Sequence, residues 1–145
     1  MTTETAAQRG DGNTGVAVDP SYRLDLDVIE AQGRSVQLFL ADRLCEASAA
    51  KLKTPNSWGS MSVKDLRKLL RDGCGGQDGY VSPQHPLLEA ALRLLLVAPK
   101  DTLTLSAIHD AISEAWLYGP WPRHVSREAL ARVLDNAAAE GIVRA

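Results

Sequence analysis

Aromatic residues are scarce, at 5% of a 145-residue chain whose hydrophobic content is 45%. The core must therefore be built from Leu, Ala, Val and Ile, and the length suits one ordinary domain or one domain with a small annex. Cysteine is scarcer still. Cys45 and Cys74 are the only two, and with no short spacing between them they argue against a disulfide scaffold and a zinc knuckle. Cys45 is expected as a small helix-packing residue and Cys74 as an exposed loop thiol. Residues 1–15 contain no Leu, Ile, Val or aromatic residue, whereas a secretory leader needs an apolar stretch there. The longest apolar run, residues 94–98, has five residues, far short of the roughly 20 of a membrane span. A cytoplasmic protein with no membrane partner is expected.

Charge is small in sum and uneven in place. The net charge is −2, yet residues 1–30 carry −4 and residues 51–72 carry +4. An anionic partner would meet the middle segment first.

Along the chain, residues 1–19 are polar and rich in Gly, Thr and Ala, and are predicted to be a disordered tail. Residues 20–72 are predicted to hold a β-hairpin and a helical segment. Leu24, Leu26 and Val28 alternate with polar residues, as do Val36, Leu38 and Leu40, and Gly33 lies between the two runs. A helix through 35–53 competes with the second strand. Asp42 is a predicted cap for a helix to about Leu52. Ser62-Val63-Lys64-Asp65 resembles a capping box opening a helix to about Arg71. Residues 73–86, with glycines at 73, 75, 76 and 79, are predicted to be a flexible connector.

Residues 87–145 are patterned more clearly. Pro86 suits the start of an apolar helix that Pro99 stops. Thr102-Leu103-Thr104 is a short strand, and Leu105, Ile108, Ile112 and Trp116 form one helical stripe. Ser126 is the predicted cap of a third helix with Leu130, Val133, Leu134 and Ala137 inward, and Gly141 ends it before Ile142-Val143. The fold expected is mainly α with a small β component.

This order resembles the winged-helix and helix-turn-helix modules of bacterial regulators, of the MarR or ferric-uptake-regulator type. The matching residues are Leu103-Thr104-Leu105, Val125-Ser126-Arg127, Leu130 with Val133-Leu134, and Glu140-Gly141-Ile142-Val143. The resemblance implies a three-helix C-terminal module that binds DNA with its third helix. Two departures stand against it. A winged helix follows its third helix with a hairpin, for which only Arg144 and Ala145 follow Ile142-Val143 in this sequence, and the 117–125 loop is longer than a compact helix-turn-helix allows.

Three sets of residues are candidates for contact. Lys64, Arg67, Lys68 and Arg71 fall at i, i+3, i+4 and i+7, one stripe of cations suited to a phosphate backbone or an acidic protein surface. On the third helix, Arg127, Arg132 and Asn136, with Arg123 just before it, suit base edges and phosphates. The plainer alternative is a solvated face on which Glu128 and Arg132 pair. The 117–125 loop gathers Tyr118, Trp121 and His124, residue types fitted to a protein contact, while Trp116 belongs to the core stripe. His85, His109 and His124 share no ligand spacing, and no nucleophile, paired-carboxylate or phosphate-loop pattern is present. The expected function is a non-enzymatic DNA-binding regulator without cofactor. The alternative is a protein-binding adaptor on the same scaffold. Homodimerisation is left open.

Overall fold

The computed structural model describes residues 19–52, 57–77, 79–117 and 124–145. The predicted disordered tail, apart from Asp19, lies outside the described residues, as do Tyr118, Trp121 and Arg123.

The element order is β1 (Ser21–Leu24), α1 (Leu26–Ala31), α2 (Val36–Ala41), α3 (Glu46–Ala49), a 3-10 turn (Ser57–Ser60), α4 (Val63–Gly73), α5 (Leu87–Val97), β2 (Thr102–Thr104), α6 (Leu105–Leu117), α7 (Arg127–Asp135), a second 3-10 turn (Ala138–Glu140) and β3 (Ile142–Arg144). The coarse expectation of a mainly helical chain with a small sheet holds.

The predicted N-terminal hairpin does not form. Only its first residues, Ser21–Leu24, are extended; both later runs are helical. The reason is local. Asp25 turns the chain by accepting a hydrogen bond from the Asp27 amide at 3.1 Å, and Ser35 accepts from the Leu38 amide at 3.1 Å. Each satisfies an otherwise orphaned donor at a helix start. Ile29, and then Phe39 with Leu40, are thereby turned inward. Gly33 does take a positive φ, +77°, in the turn joining two helices. Asp42 likewise closes α2 instead of opening a helix, and α3 starts at Cys45 with no side-chain cap.

Strand β1 instead lies at the centre of a three-stranded sheet of order β2-β1-β3. It runs antiparallel to both neighbours, with Tyr22 opposite Leu103 on one side and Arg144 on the other. Tyr22 and Leu24 face the core and Arg23 faces out, the alternation of a half-buried strand.

The predicted caps at Ser62 and Ser126 are present, accepting from the Asp65 and Ala129 amides at 3.1 and 3.0 Å. Helix α6 buries Leu105, Ile108, Ile112 and Trp116, as its spacing requires. Helix α7 stops earlier than predicted, at Asp135, and the 3-10 turn carries the chain to Gly141 at φ +90°. There a side chain is disfavoured twice: the φ is left-handed, and a Cβ would meet the Asp25 carbonyl at 3.1 Å. One cluster of buried residues runs from Tyr22 through Leu66, Leu70 and Leu95 to Trp116 and Ile142, so residues before and after position 87 share it. No helix among the described residues is long and apolar enough to cross a membrane.

Candidate interaction surfaces and a thiol cleft

The basic stripe on α4 divides into two pairs. Lys64 and Lys68 are exposed, but Arg67 is buried, with 9% of its surface accessible, and Arg71 is half-buried. An 11-residue helix such as α5 leaves its last carbonyls without intrahelical donors and carries a partial negative charge there. The two arginines answer both needs. Arg67 Nη2 donates to the carbonyls of Leu95 and Leu96 at 3.3 and 3.1 Å, and Arg71 Nη2 to that of Ala98 at 3.2 Å. Both also pair with the Asp101 carboxylate. Asp101 holds a left-handed φ of +62° and accepts the Leu24 amide on its backbone oxygen at 3.2 Å. Burial pushes the Arg67 pKa down, against the opposing pull of Asp101. The α4 cations thus include two that clamp α5 to the turn before β2.

Of the residues expected on α7, Arg127 and Asn136 are similarly engaged. Arg127 pairs with Asp19 at 3.4 Å, and the same Asp19 oxygen accepts the Ser106 amide at 2.9 Å near the start of α6. The Asn136 side-chain amide donates to the Arg132 carbonyl at 2.7 Å. Arg132 and Glu128 are exposed, and no ion pair between them is formed at 4 Å. His124 is exposed. His109, on α6, lies with Nε2 2.7 Å from the Val125 carbonyl. A carbonyl only accepts, so that nitrogen carries the proton, and the bond ties α6 to the segment entering α7. Helices α4 and α7 both pack against α5.

Sequence reasoning missed a polar cluster at the α7–sheet junction. Asp135 accepts from Tyr22 Oη at 2.8 Å and from Arg144 through Nε at 2.9 Å and Nη2 at 3.1 Å. The Arg144 guanidinium also lies 5.2 Å from the Tyr22 ring centre. The Arg144 hydrogen bonds hold the Asp135 carboxyl below the usual carboxylate range; desolvation opposes this, and the Tyr22 bond adds to it. A carboxylate depressed on folding stabilises the fold above its unfolded pKa, near 3.9, and loses that contribution as pH falls through its folded value. Its side chain is 40% exposed, so solvent screening keeps the contribution to about 1 kcal/mol. Asp135→Asn is therefore expected to lower stability slightly at neutral pH and to flatten its decline below about pH 4. Urea titrations across that range measure this; parallel acid limbs for variant and parent would remove Asp135 from the account.

The two cysteines meet. Cys74 is fully buried, which corrects the expectation of an exposed loop thiol, and Cys45 is half-buried. Cys74 Sγ lies 3.1 Å from the Cys45 amide and 3.2 Å from Ser48 Oγ; Cys45 Sγ lies 3.4 Å from the same hydroxyl and from the Gly73 carbonyl. Ser48, itself wholly buried, donates to the Leu69 carbonyl at 3.3 Å. Gly73 makes the approach feasible, since a Cβ there would come within 2.2 Å of Ser48 Oγ. Burial pushes the Cys74 thiol up, and the Cys45 contact adds to that. At Cys45, burial is outweighed by hydrogen bonds from Cys74 and Ser48, which hold its thiol below the usual range.

Cys45 also lines an open cleft of about 500 Å³ with Glu46, Gln77, Tyr80 and Arg93. Arg93 is fixed there by Glu89 at 3.0 Å and by the Tyr80 carbonyl at 3.1 Å. Tyr80, at the end of the Gly-rich segment, is buried, and its hydroxyl has no hydrogen-bond partner among the described residues. No group of three or more His, Cys, Asp or Glu among the described residues is placed to hold a metal ion. No protein-family model, no curated protein and no solved structure matches this chain.

Proposed function

We propose that the chain is a non-enzymatic adaptor, a winged-helix-like scaffold turned to protein binding. One observation carries this preference: the arginines that a DNA-binding reading needs are engaged within the molecule. Arg67 and Arg71 serve α5 and Asp101, and Arg127 serves Asp19. Of the described cations expected on nucleic acid, Lys64, Lys68 and Arg132 remain exposed. Affinity for DNA rests on phosphate neutralisation, and three contacts release few counterions. Strand β3 pairs with β1, so the sheet supports the scaffold without a wing hairpin among the described residues. On the other side of the balance, Leu117 is 54% exposed at the end of α6. It leads directly into the segment holding Tyr118 and Trp121, a concentration of anchor-type side chains.

A DNA-binding regulator is the second reading, favoured by exposed Arg132 on α7 and by Lys64 and Lys68 on α4. Titration of a labelled random-sequence duplex through a salt series separates the two. Three phosphate contacts give a log–log salt slope no steeper than about −3 and no tight binding near physiological salt. Submicromolar affinity with a steeper slope, lost in a Lys64→Gln, Lys68→Gln, Arg132→Gln variant, would establish the regulator. For the adaptor, Leu117→Asp should weaken a partner complex recovered with the parent chain by about 2 kcal/mol, as loss of an anchor does. The triple Gln variant should retain that complex.

A further inference from the structure

We propose that Cys45 and Cys74 are a redox-active dithiol, in which Cys45 attacks a hydroperoxide entering the cleft and Cys74 closes the pair to an intramolecular disulfide. This stands apart from the adaptor reading and does not require it.

Geometry carries the assignment. The sulfurs come from segments 29 positions apart in sequence, one in the turn between α2 and α3 and one just past the end of α4. Both rest against the single hydroxyl of Ser48, at 3.4 and 3.2 Å. Their access differs. Cys45 lines the open cleft, whereas Cys74 is sealed from solvent. A small oxidant therefore meets Cys45 first, and Cys74 is reached only through Cys45. The hydrogen bonding at Cys45 and the burial of Cys74 act in the same sense, favouring thiolate at the accessible sulfur. Two features suit the pair to closing and reopening. Gly73, next to Cys74, has no side chain to resist a shift toward Ser48, and α3 is a single turn of four residues with no side-chain cap.

The chemistry balances in two steps. The Cys45 thiolate attacks one oxygen of ROOH; an S–O bond forms, the O–O bond breaks, and the leaving alkoxide takes a proton as ROH. Cys74 sulfur then attacks the sulfenic sulfur; the S–S bond forms, the S–O bond breaks, and the departing hydroxide takes the Cys74 proton as water. The two thiols lose two electrons and two protons in all, and the hydroperoxide accepts them. A small dithiol restores the reduced pair by exchange. The closed form ties the α2–α3 turn, where Cys45 lines the cleft, to the end of α4.

The test uses the full chain, reduced and then exposed to a few equivalents of hydrogen peroxide. Free thiols are counted after denaturation, alongside intact mass and non-reducing peptide mapping. The parent chain is expected to lose both thiols together, remain single-chain, lose about two mass units, and recover with dithiothreitol. Cys74→Ser should stop at a sulfenic acid on Cys45 that dimedone traps. Cys45→Ser should leave Cys74 unoxidised over a time at least ten-fold longer than the parent needs, with its fold confirmed by circular dichroism. The parent measurement stands even if a variant fails to fold. Two thiols persisting in the parent, a disulfide formed only between chains, or Cys74 reacting as fast without Cys45 would each overturn the proposal.

Discussion

Arg67→Ala is expected to destabilise the fold by about 3 kcal/mol, whereas Lys64→Ala and Lys68→Ala, exposed members of the same stripe, should each stay within about 0.5 kcal/mol. All four α4 cations share one spacing, so the contrast comes from what each side chain meets. Removing Arg67 takes the side-chain donor from the Leu96 carbonyl, leaves the Leu95 carbonyl with the Ala98 amide, and leaves Asp101 paired with Arg71. Losing one partner of a fully buried pair costs about 3–5 kcal/mol. Here the lower end applies, because Asp101 is half-exposed and the buried guanidinium no longer has to be desolvated. Arg71→Ala, at a more exposed position with one carbonyl contact, should cost about 1 kcal/mol. Urea midpoints with unchanged slope measure all four. Equal midpoints for the arginine and lysine variants would return the stripe to solvent and revive its use as a phosphate track.

Gly73→Ala should cost about 2 kcal/mol in the parent and close to nothing in a Ser48→Ala background. The added Cβ would lie 2.2 Å from Ser48 Oγ but 3.5 Å from Ser48 Cβ. The hydroxyl oxygen is therefore the whole obstruction. Rotating it away sacrifices its bond to the Leu69 carbonyl and its contacts with both thiols. Ser48→Ala alone removes those contacts at about 1 kcal/mol. A double-mutant cycle should then show a coupling of about 2 kcal/mol in favour of the double variant. Additive losses would mean that Gly73 is required for its backbone and not for the space beside Ser48.

What the chain disclosed before its fold was seen follows the reach of each signal. The caps at Ser62 and Ser126 and the stripe from Leu105 to Trp116 were legible because each is settled within a few residues. The alternation across residues 23–28 misled because Leu26 and Ile29 also satisfy a helical spacing. Asp25 and Ser35, each standing just before such a run, were the local cue to the helices. The roles of Arg67 and Arg71 were hidden for another reason. Their spacing shows a shared face, but the partners on that face lie about thirty positions away, at the end of α5 and at Asp101. The thiol pair left no trace in cysteine spacing, since it depends on the α2–α3 turn packing against α4.

The central place of β1 also bears on how the chain reaches its fold. Its four residues template both edge strands, one 81 positions away at Tyr22–Leu103 and one 122 away at Tyr22–Arg144 if measured at the paired residues. Helices α4 and α5, close in sequence, can collapse early, but the sheet must wait for two long loops to close, and the second closes only when Ile142–Arg144 has left the ribosome. Loop-closure entropy grows slowly with length, so the penalty falls on rate more than on stability. During synthesis, Tyr22 can pair with Leu103 before Arg144 is made, whereas Leu24 must wait for Ile142, and early helix formation shelters neither side chain.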